Sequence, residues 1–464
     1  MTNEAFEAYA EQLMHEHHVP GAFIGVERLQ SSAYAEGFGF RNVAKAKPVT
    51  AHTVFGLASI TKSFTCLAVL QLQEAGKLNV HDPVKRYLPE FYTKASDMSG
   101  VTIHHLMTHT SGLPPLDSHL AAKKRSFEQD PSIEDFPGVQ MEITDQDPID
   151  TYKELMAYIA SLDIELLGVP GEAFSYSNDG YGLLGAIITR VSGQPYELYM
   201  KEHVLEPLGM HDSSFFIEDS FEDTMPYAKR GTGYDAQVYA APVWWDAPPM
   251  RATGGLKASG ADMLRYVNLF LNGGIVDGTR LLSEENIELM MTPHVEMEPG
   301  RWYGYGFMIR PDYYGAKLVE HGGSLKAISS LLALIPERGL GGVTLTNLAG
   351  VPASALLHGA LNAEEGRAPE ESHVVYPAGD EATAPLTDYE GEFASLEGMR
   401  LKAHLEEGEL QLTYQNETFT AETAGVDGFL IEVRGETEYV RFVRDVNGDV
   451  SHVAFHYRQF PKKA

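Results

Sequence analysis

The stretch Phe55-Gly56-Leu57-Ala58-Ser59-Ile60-Thr61-Lys62-Ser63-Phe64-Thr65 decides how the chain is read. From Ser59 to about Ala75 the sequence is largely apolar and free of Gly and Pro, which predicts a helix with Ser59 in its first turn. Lys62 follows three residues later, on the same helix face. A serine hydroxyl stays protonated near neutrality and is a poor nucleophile without a base beside it. A lysine amine that burial has stripped of its proton is such a base. The helix N-terminus adds free N–H groups and a positive field where an acyl oxyanion would form. Ser59/Lys62 is the single Ser-x-x-Lys of the chain. A pattern this short also describes a serine capping a core helix with a solvated lysine behind it, so partners elsewhere must decide.

Two further segments supply them. In Pro170-Gly171-Glu172-Ala173-Phe174-Ser175-Tyr176-Ser177-Asn178-Asp179, a turn opens into an apolar helix that includes Tyr181–Ile188. A phenol near an ammonium can have its pKa lowered and relay protons, and an amide two residues on can hold a substrate carbonyl. In His321-Gly322-Gly323-Ser324, between two strand-like runs, the glycines would let a substrate lie along a strand edge. The Ser324 N–H would be a second oxyanion donor beside that of Ser59. His321 would donate a hydrogen bond or titrate near neutrality. Taken singly, Tyr176 reads as structural, Asn178 as a helix cap, and His321 as incidental to a glycine turn.

In this order and context, Ser59-x-x-Lys62, Tyr176-x-Asn178 and His321-x-Gly323 resemble the serine β-lactamase and penicillin-binding-protein superfamily. The branch is that of class C β-lactamases, D-aminopeptidases, DD-carboxypeptidases and family VIII esterases. Thr102–Pro114, Pro170–Gly182, Glu206-Pro207-Leu208-Gly209-Met210 and Gly254-Gly255-Leu256 support it, and the resemblance spans roughly residues 5–360. It implies an α+β fold: an antiparallel sheet flanked by helices, with an all-helical subdomain bearing Tyr176. It also implies Ser59 as acylated nucleophile, Lys62 as base, Tyr176 as proton relay and Asn178 as substrate clamp, with Lys62 and Tyr176 both open as the general base. His321, Gly322, Gly323 and Ser324 would bind substrate. His321 stands where β-lactamases carry lysine, which points away from a β-lactam carboxylate and toward peptidase and esterase members.

The implied activity is that of a serine hydrolase on small peptides, amides or esters, with D-amino-acid peptides first. Alternatives are a family VIII-type carboxylesterase, a weak β-lactamase, and a non-catalytic binding or sensor protein on the same fold. No cofactor or metal is expected. His105 and His109 have the spacing of a helical metal pair, but lack the intervening Glu of a zinc hydrolase and an obvious third ligand, so they read as structural.

Composition sets outer limits. With 464 residues, of which 44% are hydrophobic and 22% charged, the chain is globular and long enough for two or three domains. A net charge of −30 argues against nucleic acid and anionic membrane surfaces as partners. The expected partner is a small-molecule or short-peptide substrate, with self-association left open. Cys66, the one cysteine, excludes an intrachain disulfide and sits in the apolar helix as a buried thiol. Glu4, Glu7, Glu11 and Glu16 interrupt the N-terminal stretch, which does not read as a secretory signal. No window has the apolar length of a membrane span, so a cytoplasmic location is expected.

Residues 114–150 are polar and charge-mixed, an excursion that reads as a substrate lid or a plain surface insertion. Residues 222–252 are loop-like and aromatic, with Tyr227, Tyr234, Tyr239, Trp244 and Trp245 as pocket or core residues. The expected division is a catalytic domain over 1–365, a linker over 366–385 and a C-terminal antiparallel β-barrel over 386–464. The barrel's short alternating runs and Tyr389-Glu390-Gly391-Glu392-Phe393 resemble the lipocalin-like barrel of some peptidases in this branch.

Overall fold

The computed structural model describes residues 3–29, 31–136, 147–219, 223–231, 236–373, 384–415, 417–433 and 436–463. Its centre is a nine-stranded antiparallel sheet. In chain order the strands are β1 (Gly21–Arg28), β2 (Ser31–Asn42), β3 (Lys47–Pro48), β4 (Val295–Glu298), β5 (Arg301–Tyr303), β6 (Met308–Tyr313), β7 (Ala316–Leu325), β8 (Ile328–Ile335) and β9 (Leu340–Thr346). Their spatial order is β4-β5-β6-β7-β8-β9-β1-β2-β3. The sheet therefore joins the N-terminal hairpin to strands from Val295 onward in the chain through the β1–β9 pair, which sets Phe23 opposite Leu345.

Period-two alternation sorts the strand side chains to two faces. Ala22, Ile24 and Val26 share one core with Leu331, Ala333 and Ile335. Helices α1 (Asn3–Glu16) and α6 (Ala353–Glu364) cover that face through Phe6, Ala10, Leu356 and Leu357. On the other face Phe23, Leu332, Leu334 and Val343 pack with α5 (Gly260–Leu271) and α2 (Thr61–Glu74). Between them in the chain lie α3 (Ser118–Gln129) and α4 (Asn178–Ser192), part of the helical subdomain that the sequence leads one to expect.

Helix α2 is buried on every side over Thr61–Leu70, as a helix at the centre of a core should be. Its polar residues are satisfied: Thr65 Oγ1 donates to Ala252 O at 2.6 Å, and Tyr266 OH donates to Ser63 Oγ at 3.0 Å. Phe64 stacks on Tyr266 with centroids 3.6 Å apart. Cys66 is buried there, its Sγ 3.2 Å from Tyr181 OH.

One expected strand is broken. Tyr303–Ile309 reads as continuous, yet β5 ends at Tyr303 and β6 begins at Met308. The intervening turn presses on α2: Gly306 has φ +76, and a Cβ there would lie 2.7 Å from Ser63 Cα. Only glycine fits that approach.

The C-terminal segment forms two antiparallel sheets of four and five strands. The first holds β10 (Gly391–Ala394), β11 (Arg400–Glu406), β12 (Glu409–Tyr414) and β13 (Glu417–Thr420). The second holds β14 (Glu422–Thr423), β15 (Gly428–Val433), β16 (Glu436–Arg444), β17 (Val450–Phe455) and β18 (Arg458–Pro461). They enclose one apolar core with Tyr389, Phe393, Leu412, Phe442 and Phe460, and meet at an isolated bridge between Phe393 and Lys462. Among the described residues this is a pair of sheets rather than one closed ladder. Part of the expected linker and of the 114–150 excursion, and Tyr234, fall outside the described residues. Among the described residues, no helix is long and apolar enough to cross a membrane.

Candidate active site

Ser59 lies in a short 3-10 turn, Ala58–Ile60, and α2 begins only at Thr61, so the expected first helical turn is tighter than an α-turn. Buried Ala58 holds φ +45, a left-handed conformation uncommon for a residue with a side chain. Ser59 is partly exposed to a cleft, whereas Lys62 is fully buried.

The Lys62 amine has three oxygens around it: Thr253 O at 2.9 Å, Asn178 Oδ1 at 3.1 Å and Ser59 Oγ at 3.2 Å. The first two can only accept. As an ammonium Lys62 donates to all three; deprotonated, it keeps two N–H groups for those two acceptors and turns a lone pair to the Ser59 O–H. Burial, then the positive fields of Arg458 and Lys123, hold its pKa well below the ordinary value. Asn178 is fixed in turn, its backbone carbonyl accepting from Thr253 Oγ1 at 3.0 Å. The helix cap expected of Asn178 falls to Ser177, whose Oγ accepts from Gly180 N–H at 3.1 Å.

Tyr176 is buried beside this group, its ring centroid 4.8 Å from Lys62 Nζ and its phenol hydrogen-bonded to Ser59. The sequence argument expects a lowered phenol pKa; burial instead raises it, and the bond to Ser59 and the charge of Arg458 only partly offset that. His109 stacks on the phenol at 4.2 Å. Its Nδ1 accepts from Ser177 N–H at 3.0 Å, which places the ring proton on Nε2. His105 instead completes a capping box with Thr102, so the two histidines serve different ends.

His321 differs from expectation. Its Nδ1–H donates to Gly322 O at 2.7 Å and its Nε2 accepts from Tyr303 OH at 3.1 Å. Both nitrogens are occupied, the ring is buried, and burial takes its pKa down to about 3. It neither titrates near neutrality nor lines the cleft. Its ring lies 6.3 Å from that of Tyr176, and it reaches the site through Tyr303. Gly323 also has a packing role: a Cβ would fall 2.1 Å from Leu57 O, so glycine lets β7 close onto the segment carrying Ser59. Gly322 has no such neighbour, and Ser324 lines the cleft with Ser59.

The β17–β18 hairpin supplies residues that the sequence argument missed. Its two-residue turn, His456-Tyr457, has positive φ at both positions, the geometry that suits a tight hairpin. Tyr457 O accepts from Tyr176 N–H at 2.8 Å, and Gln459 Nε2 donates to Phe174 O at 3.1 Å. Arg458 lies 5.3 Å over the Tyr176 ring and is held by Glu397 Oε2 at 2.6 Å. No Asn-Gly or Asp-Gly signal marks this turn, so the sequence carried little to find it by.

Of the aromatic loop, Trp245 lines the cleft. It is braced by a buried ion pair: Asp130 accepts from Trp245 Nε1 at 2.7 Å and from Lys326 at the β7–β8 turn. Lys326 Nζ also donates to Val243 O at 3.0 Å. Replacing Lys326 by alanine leaves the Asp130 charge buried and unpaired, and should cost about 3–5 kcal/mol in a denaturant titration. A loss below about 1 kcal/mol would show that the pair is not a brace.

A serine in contact with a buried amine and a phenol, at the junction of an antiparallel sheet and a helical subdomain, is the arrangement of the β-lactamase-like class. The chain belongs to the Beta-lactamase family, whose profile matches residues 6–366. Protein flp of Staphylococcus aureus (strain MW2) is 28% identical over 358 residues, covering 75% of this chain and 64% of its own. The chain thus spans under two thirds of that relative. Among solved structures, an octameric penicillin-binding protein homologue from Pyrococcus abyssi is 30% identical with TM-score 0.69, covering 100% of both chains. A D-stereospecific amidohydrolase from Streptomyces sp. shares the fold at 23% identity and TM-score 0.60, over 78% of this chain and 98% of its own.

Proposed function

We propose that this protein is a serine hydrolase that forms an acyl-enzyme on Ser59 from small peptides, amides or esters, with D-amino-acid peptides first. The observation that carries the reading is the placement of Lys62: its fully buried amine lies 3.2 Å from Ser59 Oγ and is fixed there by Asn178 Oδ1 and Thr253 O, and burial favours its neutral form. Lys62 is then the base and Tyr176, its phenol kept protonated, the acid that delivers a proton to the leaving group. The N–H groups of Ser59 and Ser324 stabilise the oxyanion, and Asn178 holds the substrate amide. Lys62 then passes the serine proton to the Tyr176 phenolate, which frees its lone pair to take a proton from the hydrolytic water and return it to Ser59 Oγ as the ester breaks. His321 acts through Tyr303 rather than on substrate. The D-stereospecific neighbour supports the substrate class by analogy of fold. Residues 1–365 are assigned the chemistry, 366–385 the linker, and 386–464 a lipocalin-like accessory role.

The test is labelling with an alkyl phosphonate, read by intact mass and peptide mapping. Near-stoichiometric modification of Ser59, with turnover of a D-aminoacyl amide or nitrophenyl ester, is the expected result. No modification would leave a binding or sensor protein on the same fold.

A further inference from the structure

One charged side chain in the cleft is not used by the chemistry above. Lys123, half-buried on α3, lines it together with Ser59, His119, Asn178, Trp245 and Ser324. Among the described residues its ammonium makes no hydrogen bond and no ion pair; the carboxylate whose field reaches it, Glu397, is bonded through Oε2 to Arg458 at 2.6 Å and turns Oε1 toward His119 at 3.6 Å.

The other charged side chains of the cleft have partners, Arg251 being shared by two carboxylates. Arg251 donates to both oxygens of Asp246, at 3.0 and 2.5 Å, and to Glu197 at 2.9 Å. His119 donates through Nδ1 to Leu116 O at 3.1 Å, and burial, followed by the charge of Lys123, lowers its pKa to about 4, so it is neutral. Lys123 is the lining cation without a hydrogen-bonded or ion-paired partner among the described residues. An ordinary surface lysine would be fully hydrated. Burial instead lowers this one to about 8, which leaves it mostly charged at neutral pH but poorly solvated. Such a group gains most from an anion brought to it.

The cleft also shows which half of a substrate would meet this charge. Asn178, the clamp for the substrate amide in the reading above, lines the cleft beside Ser59 and Lys123. The leaving group departs toward Tyr176, so the lined space receives the acyl half. We propose that Lys123 is a specificity-determining subsite for a carboxylate on the acyl half of the substrate. This rests on the hydrolase reading above and narrows it. A cation here favours, among the acyl groups that the site accepts, those that carry an acid.

The test compares mono-(4-nitrophenyl) glutarate with its methyl ester, which differs only in that charge. The ratio of kcat/KM for acid over methyl ester should fall about tenfold in Lys123→Met and recover in Lys123→Arg. A ratio unchanged in Lys123→Met, or lost equally in Lys123→Arg, overturns the subsite. Phosphonate labelling on the same samples separates the two readings: a labelled Ser59 with an unchanged ratio sinks the subsite alone. If Ser59 is unlabelled and neither ester turns over, the hydrolase reading fails. Calorimetry of monomethyl glutarate on Ser59→Ala and Ser59→Ala/Lys123→Met proteins then decides the subsite. A tenfold weaker affinity in the double variant supports it, and equal affinity overturns it.

Discussion

Replacing Lys62 by methionine should slow acylation of Ser59 by at least about 10², the scale on which a positioned base acts. Methionine keeps the apolar volume but leaves Thr253 O and Asn178 Oδ1 without their donor and the Ser59 hydroxyl without an acceptor. The pH profile gives a second readout. In the native protein the rate falls as pH drops through the depressed Lys62 pKa, because the protonated amine has no lone pair for Ser59. That acidic limb should disappear in the methionine variant. The same shift bears on stability. The unfolded chain holds the Lys62 proton up to the ordinary 10.5 and the folded one does not. This group's contribution therefore favours folding increasingly as pH rises from the depressed value toward 10.5. Stopped-flow acylation with a nitrophenyl ester checks the first claim. Near-native acylation with an intact acidic limb would remove Lys62 from the role of base.

The second large effect concerns the C-terminal sheets. A chain ending near residue 370 should keep its main sheet and helices, because the tail has an apolar core of its own. It should nonetheless lose about 10² in kcat/KM, the cost of small misplacement of a reacting group. The loss follows from what the hairpin holds: Tyr457 O fixes the Tyr176 amide and Gln459 fixes Phe174. Arg458→Met isolates the electrostatic part. With that positive charge gone the Lys62 pKa rises, and the acidic limb should move to higher pH while Tyr176 stays in place. Circular dichroism and cooperative unfolding of the shortened chain establish folding, and the rate with a small ester establishes function. Full activity in a folded short chain would show the hairpin to be a bystander.

Much of this was legible in the chain because it depends on local pattern. The apolar run after Ser59 predicts α2, and the alternation around Phe23 and Leu332 predicts central strands. The pairing of Ser59 with Lys62 follows from helical spacing alone. What escaped depends on burial and on distant partners. The His321 motif is visible in the sequence, but its withdrawal from the cleft is set by Tyr303, a residue read as part of one long strand. The rise of the Tyr176 pKa comes from enclosure by His109, Tyr303 and the tail, which no spacing rule reveals. Lys123 looked like one charge among many in a polar stretch. Only the fold shows that it lines the cleft beside Ser59.

The His456-Tyr457 turn also has a bearing on when the protein can work. A chain still being synthesised, however complete its large sheet, lacks the wall behind Tyr176 until Arg458–Pro461 have been made and have paired with Val450–Phe455. A chain interrupted between the large sheet and Arg458 would therefore hold Ser59 and its amine but lack the hairpin's hold on the phenol.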